Sequence, residues 1–587
     1  MSFLNLKNFW LSIKRDKQSL RSSATSWLAG LKQSFSANRF LLIALIIGFL
    51  LRVGNSTFGS PSLFISNDEA IAHLSAFNMI ASKTWVSISN YTPLGAYIQI
   101  PFLIAIFILM RFLGLVESIG DFELFVLTHE GYFLFIPRLI SGLFGTLTIL
   151  MIYKITRQLF LDKKIAIWAA FLTAFSFNLV HISHFGRPWA AALFFFALTI
   201  YFVLRSKNLF SFVSASISYG FHQVGVLVIP LIFMKTSKKF AVGNLLGTIL
   251  VLLMILILNS LTLKIGLVES IKRDQSFLKE GKLAADFLIG SPDLLGSAIR
   301  SLWGNLSVYF VVNLLVTDGI LLIFGIWGII KNFGIKNPKS GIVYYILLYF
   351  IFGSLFFHPL TRYLLPIILL TIPFAAWAIN SIFKKKRYLI IIVLIIASVN
   401  SLWWNSLFIK ESTFIRANKW IKQNVSADIP IAYVGSRYQM LVPNKKAILH
   451  VQKVNEEIYN RLFNILPSDN FDNVYNIVYV SKFPGNNKFE QYKNATSNYP
   501  VFYVVDYYLD ENERIFNYSK ELFEVVAHFS PLPNSRFVGL PEPLFDASWS
   551  FSTNDRREKV SMYSLERIGP YMDILRVKDQ SVSTNTK

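Results

Sequence analysis

The 587-residue sequence contains no cysteine. That excludes a disulfide framework, a thiolate metal site and a cysteine nucleophile, so any part outside the cytoplasm must hold together by its core alone. Charge is also sparse, at 16% of residues, where a soluble domain carries about 25%. Acids are rarest in the first two thirds: 14 of the 34 Asp and Glu precede residue 406. No internal repeat stands out.

What fills the chain is apolar. Hydrophobic residues make up 53% and the mean hydropathy is +0.48. Long apolar runs start at Phe40–Leu51 and recur along most of the chain. A cleaved signal peptide does not account for them; a polytopic membrane protein does. The net charge is +23, yet from residue 406 onward 22 Lys and Arg face 20 acids. The excess therefore belongs to the apolar part, largely at the ends of its runs, as the positive-inside rule requires. A nucleic-acid binder would gather base on one soluble face, so nucleic acid is not an expected partner.

The expected fold is mainly α: a transmembrane bundle of about eleven spans, N-terminus inside and C-terminus outside, with a small C-terminal α/β extracytoplasmic domain. Residues 1–39 read as a basic cytoplasmic leader and 40–407 as the transmembrane domain, with outer loops 54–93 and 264–306. In this order Phe40–Val53 leaves the cytoplasm, Leu94–Met110 returns and Tyr132–Tyr153 leaves again. Spans then alternate from Ile165–Ile182 to Tyr388–Leu407. One loop disagrees, because Lys154, Arg157, Lys163 and Lys164 then fall outside. Residues 408–578 form the outer domain, with a helix at Phe414–Asn424 that turns Trp420 and Ile421 inward, and with short β-rich runs. Their nearly balanced charge leads us to expect that they fold without the spans. Residues 579–587 form a disordered polar tail.

The first chemical feature is Phe64-Ile-Ser-Asn-Asp-Glu-Ala-Ile-Ala-His73. Asp68 and Glu69 are adjacent carboxylates just past the first apolar run, and must face water or a protein cavity. One can serve as a general base while the other orients a partner. The alternative is helix capping by Asn67 or Asp68. Lys83 lies in the same loop, and Asn90-Tyr-Thr-Pro-Leu-Gly-Ala-Tyr97, with Tyr91, closes it at a Pro-led helix start. Ile136-Pro-Arg-Leu-Ile-Ser-Gly-Leu-Phe-Gly145 sets Arg138 at the inner end of a span, above a small-residue face suited to close packing; a structural role is the favoured reading there. His181 and His184 have metal-ligand spacing but no evident third ligand, so the His181–Trp189 stretch, with Arg187, reads as a polar turn between helices. Phe357-His-Pro-Leu-Thr-Arg-Tyr363 places His358, Arg362 and Tyr363 at an outer helix start. The Arg362 guanidinium can hold a phosphate there or snorkel to headgroups.

The order of these pieces is informative. An early Asp68-Glu69 is followed by Pro93-Leu94, then Arg138-Leu-x-Ser-Gly-x-x-Gly145 and Tyr153-x-x-x-Arg-x-Leu-Phe160. Next come Arg187-Pro188 and Arg362-Tyr-Leu-Leu-Pro366. This resembles the C-type glycosyltransferases that use lipid-linked sugars, in the protein O-mannosyltransferase and aminoarabinose transferase group, over residues 40–380. The resemblance implies an inverting sugar transfer at the outer membrane face from a polyprenyl-phosphate donor to a glycan, lipid or protein acceptor. It gives Asp68 the role of base, with Glu69 beside it. The departing phosphate needs cations, for which Arg362 is the first candidate and Lys83 the second. His73, Tyr91, Arg138, Arg187, His358 and Tyr363 stand as site or structural support.

Two departures leave the donor's identity open. Tyr91-Thr92-Pro93 lacks the Lys that precedes this helix start in aminoarabinose transferases, and Trp189 stands where relatives commonly carry an acid. The sequence points to no cofactor and leaves a divalent metal open. The alternatives are a transporter or lipid-carrier flippase, and a membrane-anchored protein that binds cell-wall polymer.

Overall fold

The computed structural model describes residues 39–57, 73, 75–80, 94–233, 299, 302–303, 306, 317–333, 340–356, 361–434, 441–452, 474–479, 501–506, 523–530, 566–567 and 572–578. All of the expected leader but Arg39, most of both outer loops, a further expected span at Phe240–Leu263 and the tail lie outside these residues.

The bundle begins with α1 (Arg39–Val53). Its buried side follows helical spacing through Leu41, Ala44, Leu45, Gly48, Leu51 and Arg52. Its other side is also apolar and exposed, through Phe40, Leu42, Ile43, Ile46 and Leu50. A helix apolar all round belongs in lipid. There follow α2 (Ile100–Phe112), α3 (Ile119–Thr128), α4 (Phe135–Phe160), α5 (Lys163–Phe175), α6 (Phe177–His184), α7 (Trp189–Leu204), α8 (Asn208–Phe221), α9 (Gly319–Asn332), α10 (Ser340–Phe356), α11 (Thr361–Ile382) and α12 (Arg387–Ile409). Among the described residues four helices are long and apolar enough to cross a membrane, or five if the bent pair α5 and α6 is one span. α7, α8, α9 and the first part of α10 form shorter apolar helices. This is a multi-pass membrane protein.

The expected directions of Tyr132–Tyr153, Ile165–Ile182 and Trp189–Leu204 are corrected, since Gly186 lies on Pro137 at the start of α4 and Tyr201 beside Lys154 near its end. A Cβ added at Gly48 would strike Ile149, and one at Gly142 would meet Val53. So α1 and α4 run antiparallel, whereas the eleven-span order has both leaving the cytoplasm. At its far end α4 sets Phe160 against Phe374, with ring centroids 5.8 Å apart, and against Trp377. These belong to the last half of α11, which ends just before Lys384-Lys385-Lys386-Arg387. Lys154, Arg157, Lys163 and Lys164 thus join the other basic cluster, and the discordant loop is resolved. Arg138 correspondingly lies at the end where α1 finishes, opposite the basic end.

The reason is that α2, although apolar enough to span, stays at that one end. Among the described residues it meets the first turns of α4 across an apolar groove of about 230 Å³ lined by Phe102, Ala105, Ile106, Leu109, Phe135, Ile136 and Leu139. Its Phe107 touches Phe122 of α3, which in turn touches Phe133 just before α4. Leu124 of α3 packs on Val442, Ile448 and Val474 of the C-terminal region. Ser118 and Asp121 cap α3 reciprocally. The Ser118 hydroxyl, then the Ser118 and Glu117 amides, hold the Asp121 carboxyl below its ordinary range.

The C-terminal region opens with α13 (Thr413–Asn424), capped by the Ser412 side chain. It continues through β1 (Ile431–Val434), β2 (Val442–Pro443), α14 (Lys445–Gln452), β3 (Val474–Tyr475), β4 (Ile477–Tyr479), β5 (Phe502–Asp506), β6 (Phe523–Phe529) and β7 (Met572–Val577). The five-stranded sheet has the order β4-β1-β5-β7-β6. β1 pairs in parallel with β4 and β5, and β7 is antiparallel to β5 and β6. Ile421 is fully buried as expected, and Trp420 sits partly buried against it.

The core of this region does not end at the sheet. Ile431, Tyr433, Val504 and Ile574 share one cluster with Phe177 and Phe185 beside α6 and with Trp404, Leu407 and Phe408 of α12. The sheet and the end of the bundle bury a single apolar core.

Candidate functional site

The break between α5 and α6 is the first polar feature of the bundle. The two helices meet at 51°, and a broken helix exposes carbonyls on one side and N–H groups on the other. Each set receives a buried side chain of matching charge. Arg52 donates to Thr173 O at 2.8 Å, Ala174 O at 3.1 Å and Gly48 O at 3.0 Å. Asp318, just before α9, accepts from Phe177 N at 2.8 Å and Asn178 N at 3.2 Å. It also accepts from Ser176 Oγ at 2.9 Å and Asn178 Nδ2 at 2.7 Å. The cation meets the negative helix end and the anion the positive one, as the helix dipole favours. Neither residue was singled out from the sequence. The available signal was a lone acid inside the Leu306–Ile330 run and a lone arginine at the end of the first run, since intramembrane charges carry a function or a partner by default.

Above the break, toward the sheet, three arginines gather. Arg138 is 1% exposed and donates to Ser56 O at 3.1 Å. The Gly186-Arg187 turn lies on it, because a Cβ at Gly186 would meet Pro137 and Arg138 N. Arg187 is buried, with its guanidinium 5.6 Å from the Phe185 ring. Arg362 is half-buried at the start of α11, 5.5 Å from the Tyr363 ring. The charges of Arg187 and Arg362 both reach His222, at the end of α8. His222 stacks on Trp189 at 3.8 Å between centroids, and Trp189 meets Tyr363 edge-on at 5.6 Å. Three helix ends, of α7, α8 and α11, thus bring two guanidinium groups around one aromatic cluster. Such an array can bind an oxyanion, with planar donors for its oxygens and apolar walls that strengthen the attraction.

Of the residues chosen from sequence, Arg187, Arg362 and Tyr363 come together here, with Arg138 beneath the same turn. His73 is fully buried and donates through Nδ1 to Gln99 Oε1 at 3.1 Å, while Gln99 Nε2 donates to Gly95 O. It ties the middle of the first loop to the start of α2. Asp68, Glu69, Lys83, Tyr91 and His358 lie outside the described residues. His222 is the addition that sequence reading missed, and Trp189 was marked there only as a departure. Trp189 follows the Gly186-Arg187-Pro188 turn and His222 ends α8, and only the fold brings them together.

His181 and His184 lie within helix α6 rather than in a turn. His184 bridges Val180 O and the Asn405 side chain and stacks on Phe408 at 4.7 Å. His181 lies against Trp404 at 4.9 Å. They join the bundle to α12, and among the described residues no group of three or more His, Asp or Glu is placed to hold a metal.

No family model and no curated protein matches the chain. Solved structures do. The apo oligosaccharyltransferase of Archaeoglobus fulgidus is 14% identical, over 80% of this chain and 69% of that one, with a TM-score of 0.44. The oligosaccharyltransferase AglB of the same organism, with an inhibitory peptide and a dolichol-phosphate, is 14% identical over the same shares, with a TM-score of 0.42. ArnT from Cupriavidus metallidurans bound to undecaprenyl phosphate is 13% identical, over 66% of this chain and 72% of that one, with a TM-score of 0.40. These similar structures are C-type glycosyltransferases that use lipid-linked sugars, the group that the sequence motifs resemble.

Proposed function

We propose that the chain is a membrane glycosyltransferase that moves a sugar from a polyprenyl-phosphate donor to an acceptor at the outer membrane face, with inversion. The observation that carries this reading is the meeting of the Arg187-Pro188-Trp189 turn with the Arg362-Tyr363 helix start, where Trp189 lies 3.8 Å from His222 and 5.6 Å from Tyr363 between ring centroids, at the end of the bundle that shares its core with the sheet. Two motifs far apart in sequence meet there. Each is one that the resemblance picks out.

In this reading Arg362, assisted by Arg187, holds the lipid phosphate. The phosphate is a good leaving group and needs charge neutralisation rather than a proton. Asp68 takes the proton from the acceptor as the new glycosidic bond forms. The loop that contains Asp68 is tethered close by on both sides: Ser56 O accepts from Arg138, and His73 is held by Gln99. Lys83 is a second phosphate ligand and Glu69 orients the loop. The basic end, with Lys154, Arg157, Lys163, Lys164 and Lys384–Arg387, faces the cytoplasm by the positive-inside rule. That puts the arginines and the C-terminal domain outside.

The bent pair α5 and α6 is the one observation that favours a transporter, since transporters bind substrates at the ends of broken helices. Here both ends of the break are occupied by the protein's own Arg52 and Asp318, so the break is a fixed element of the fold.

The test uses purified protein in liposomes with radiolabelled polyprenyl-phosphate hexoses and pentoses and a cell-envelope acceptor fraction. We expect transfer from one donor, lowered about 100-fold or more by Asp68→Asn, because general-base catalysis is worth about 10²–10⁴-fold. Arg362→Ala should weaken donor binding instead. Undiminished transfer by folded Asp68→Asn protein would remove the base assignment. Carriage of the intact donor across the bilayer without transfer would favour the flippase.

A further inference from the structure

Trp189 is 1% exposed, and its indole Nε1–H has no hydrogen-bond partner. Buried indole N–H groups normally find an acceptor, and a buried donor without one is costly and calls for an explanation. The surroundings say what kind of acceptor is missing. The ring lies on His222 and edge-on to Tyr363, with Arg187 two residues before it and Arg362 next to Tyr363. Trp189 is also the first residue of α7, a 16-residue helix whose start has no side-chain cap. An unsatisfied donor on the first residue of a helix without a side-chain cap favours a negatively charged acceptor, and Arg187 and Arg362 belong to the same cluster. A carboxylate in this position would repel such an acceptor.

From this arrangement we infer that the Trp189 indole N–H donates to a phosphate oxygen of the bound lipid carrier, beside the Arg187 and Arg362 guanidinium groups. Trp189 is thereby a phosphate-binding residue. The inference rests on the lipid-phosphate donor of the proposed function and adds a ligand to it.

Trp189→Phe removes the N–H and keeps an aromatic ring against His222. The measurement is binding of a polyprenyl monophosphate to detergent-solubilised full-length protein, with inorganic phosphate and phosphatidylglycerol as comparison ligands. Trp189→Phe should bind the polyprenyl monophosphate about 10-fold to 100-fold more weakly, the loss expected for a hydrogen bond to a charged group. A purely structural Trp189 gives unchanged affinity.

In wild-type protein labelled with ¹⁵N-indole, one of the 12 tryptophan signals should move downfield on binding. If none moves, the inference is overturned whatever the variant does. If Arg362→Ala loses binding while Trp189→Phe keeps it, the inference fails and the donor reading stands. If wild-type protein binds no polyprenyl monophosphate, both fail. An equal response to inorganic phosphate, or to phosphatidylglycerol, overturns the carrier as the source of that phosphate.

Discussion

Asp318 offers the sharpest test of how the bundle is held. Its carboxylate accepts from four donors, at 2.8 Å and 3.2 Å from the Phe177 and Asn178 amides, 2.9 Å from Ser176 Oγ and 2.7 Å from Asn178 Nδ2. In Asp318→Ala the two side-chain donors can turn elsewhere, and Asn178 Nδ2 already donates to Thr317 Oγ1 at 3.0 Å. The two backbone amides are fixed by α6 and cannot turn. Each buried donor left without an acceptor costs about 1–3 kcal/mol, so the loss is about 4 kcal/mol. Asp318→Asn keeps one acceptor oxygen and presents an N–H₂ to donors on the other side, for a loss of about 2 kcal/mol. Asp162→Ala is the control. Asp162 caps α5 through a single exposed contact, 2.7 Å to Lys164 N, and losing such a cap costs about 1 kcal/mol. The assay is thermal melting in detergent followed by intrinsic tryptophan fluorescence, because the chain has no cysteine for a thiol-reactive dye. The order of melting temperatures should be wild type, Asp162→Ala, Asp318→Asn, Asp318→Ala. If Asp318→Ala melts with Asp162→Ala, the buried carboxylate does not hold the break together.

Two further outcomes follow from the fold. Leu161 ends α4 with φ at 54° and is 84% exposed; a left-handed non-glycine residue costs about 1–2 kcal/mol, so Leu161→Gly should raise the melting temperature slightly, and a fall would contradict the strain. Residues 408–587 expressed alone should give no cooperative melt by circular dichroism, because Trp404, Phe177 and Phe185 of the bundle are part of their core; a sharp transition would restore the independent domain.

The sequence made some levels of this structure plain and hid others. The apolar runs marked most of the described helices because lipid demands an apolar surface all round, and α1 and α12 show it. The same criterion misjudged Leu94–Met110. Its composition suits lipid, yet its partners Phe122 and Phe133 keep it at one end of α4. Composition reports how apolar a segment is, and only packing reports where it goes. That one error reversed the direction of Tyr132–Tyr153 and of the two spans after it, and moved Arg138 and Arg187 to the wrong end. The basic loop at Lys154–Lys164 had signalled the mistake. Arg362 and Arg187 were legible as candidates from their motifs, whereas His222 and Trp189 were not, because their role depends on a contact between α7 and α8. Arg52 and Asp318 were legible in principle as isolated charges within apolar runs.

The most direct test of the central claim is a density map of the protein in lipid nanodiscs with a polyprenyl monophosphate. The account predicts phosphate density between Arg187 and Arg362, beside Trp189, with the first loop bringing Asp68 to the same place. Phosphate density at the opposite, basic end, or a continuous path through the bundle with nothing bound at the arginines, would contradict it.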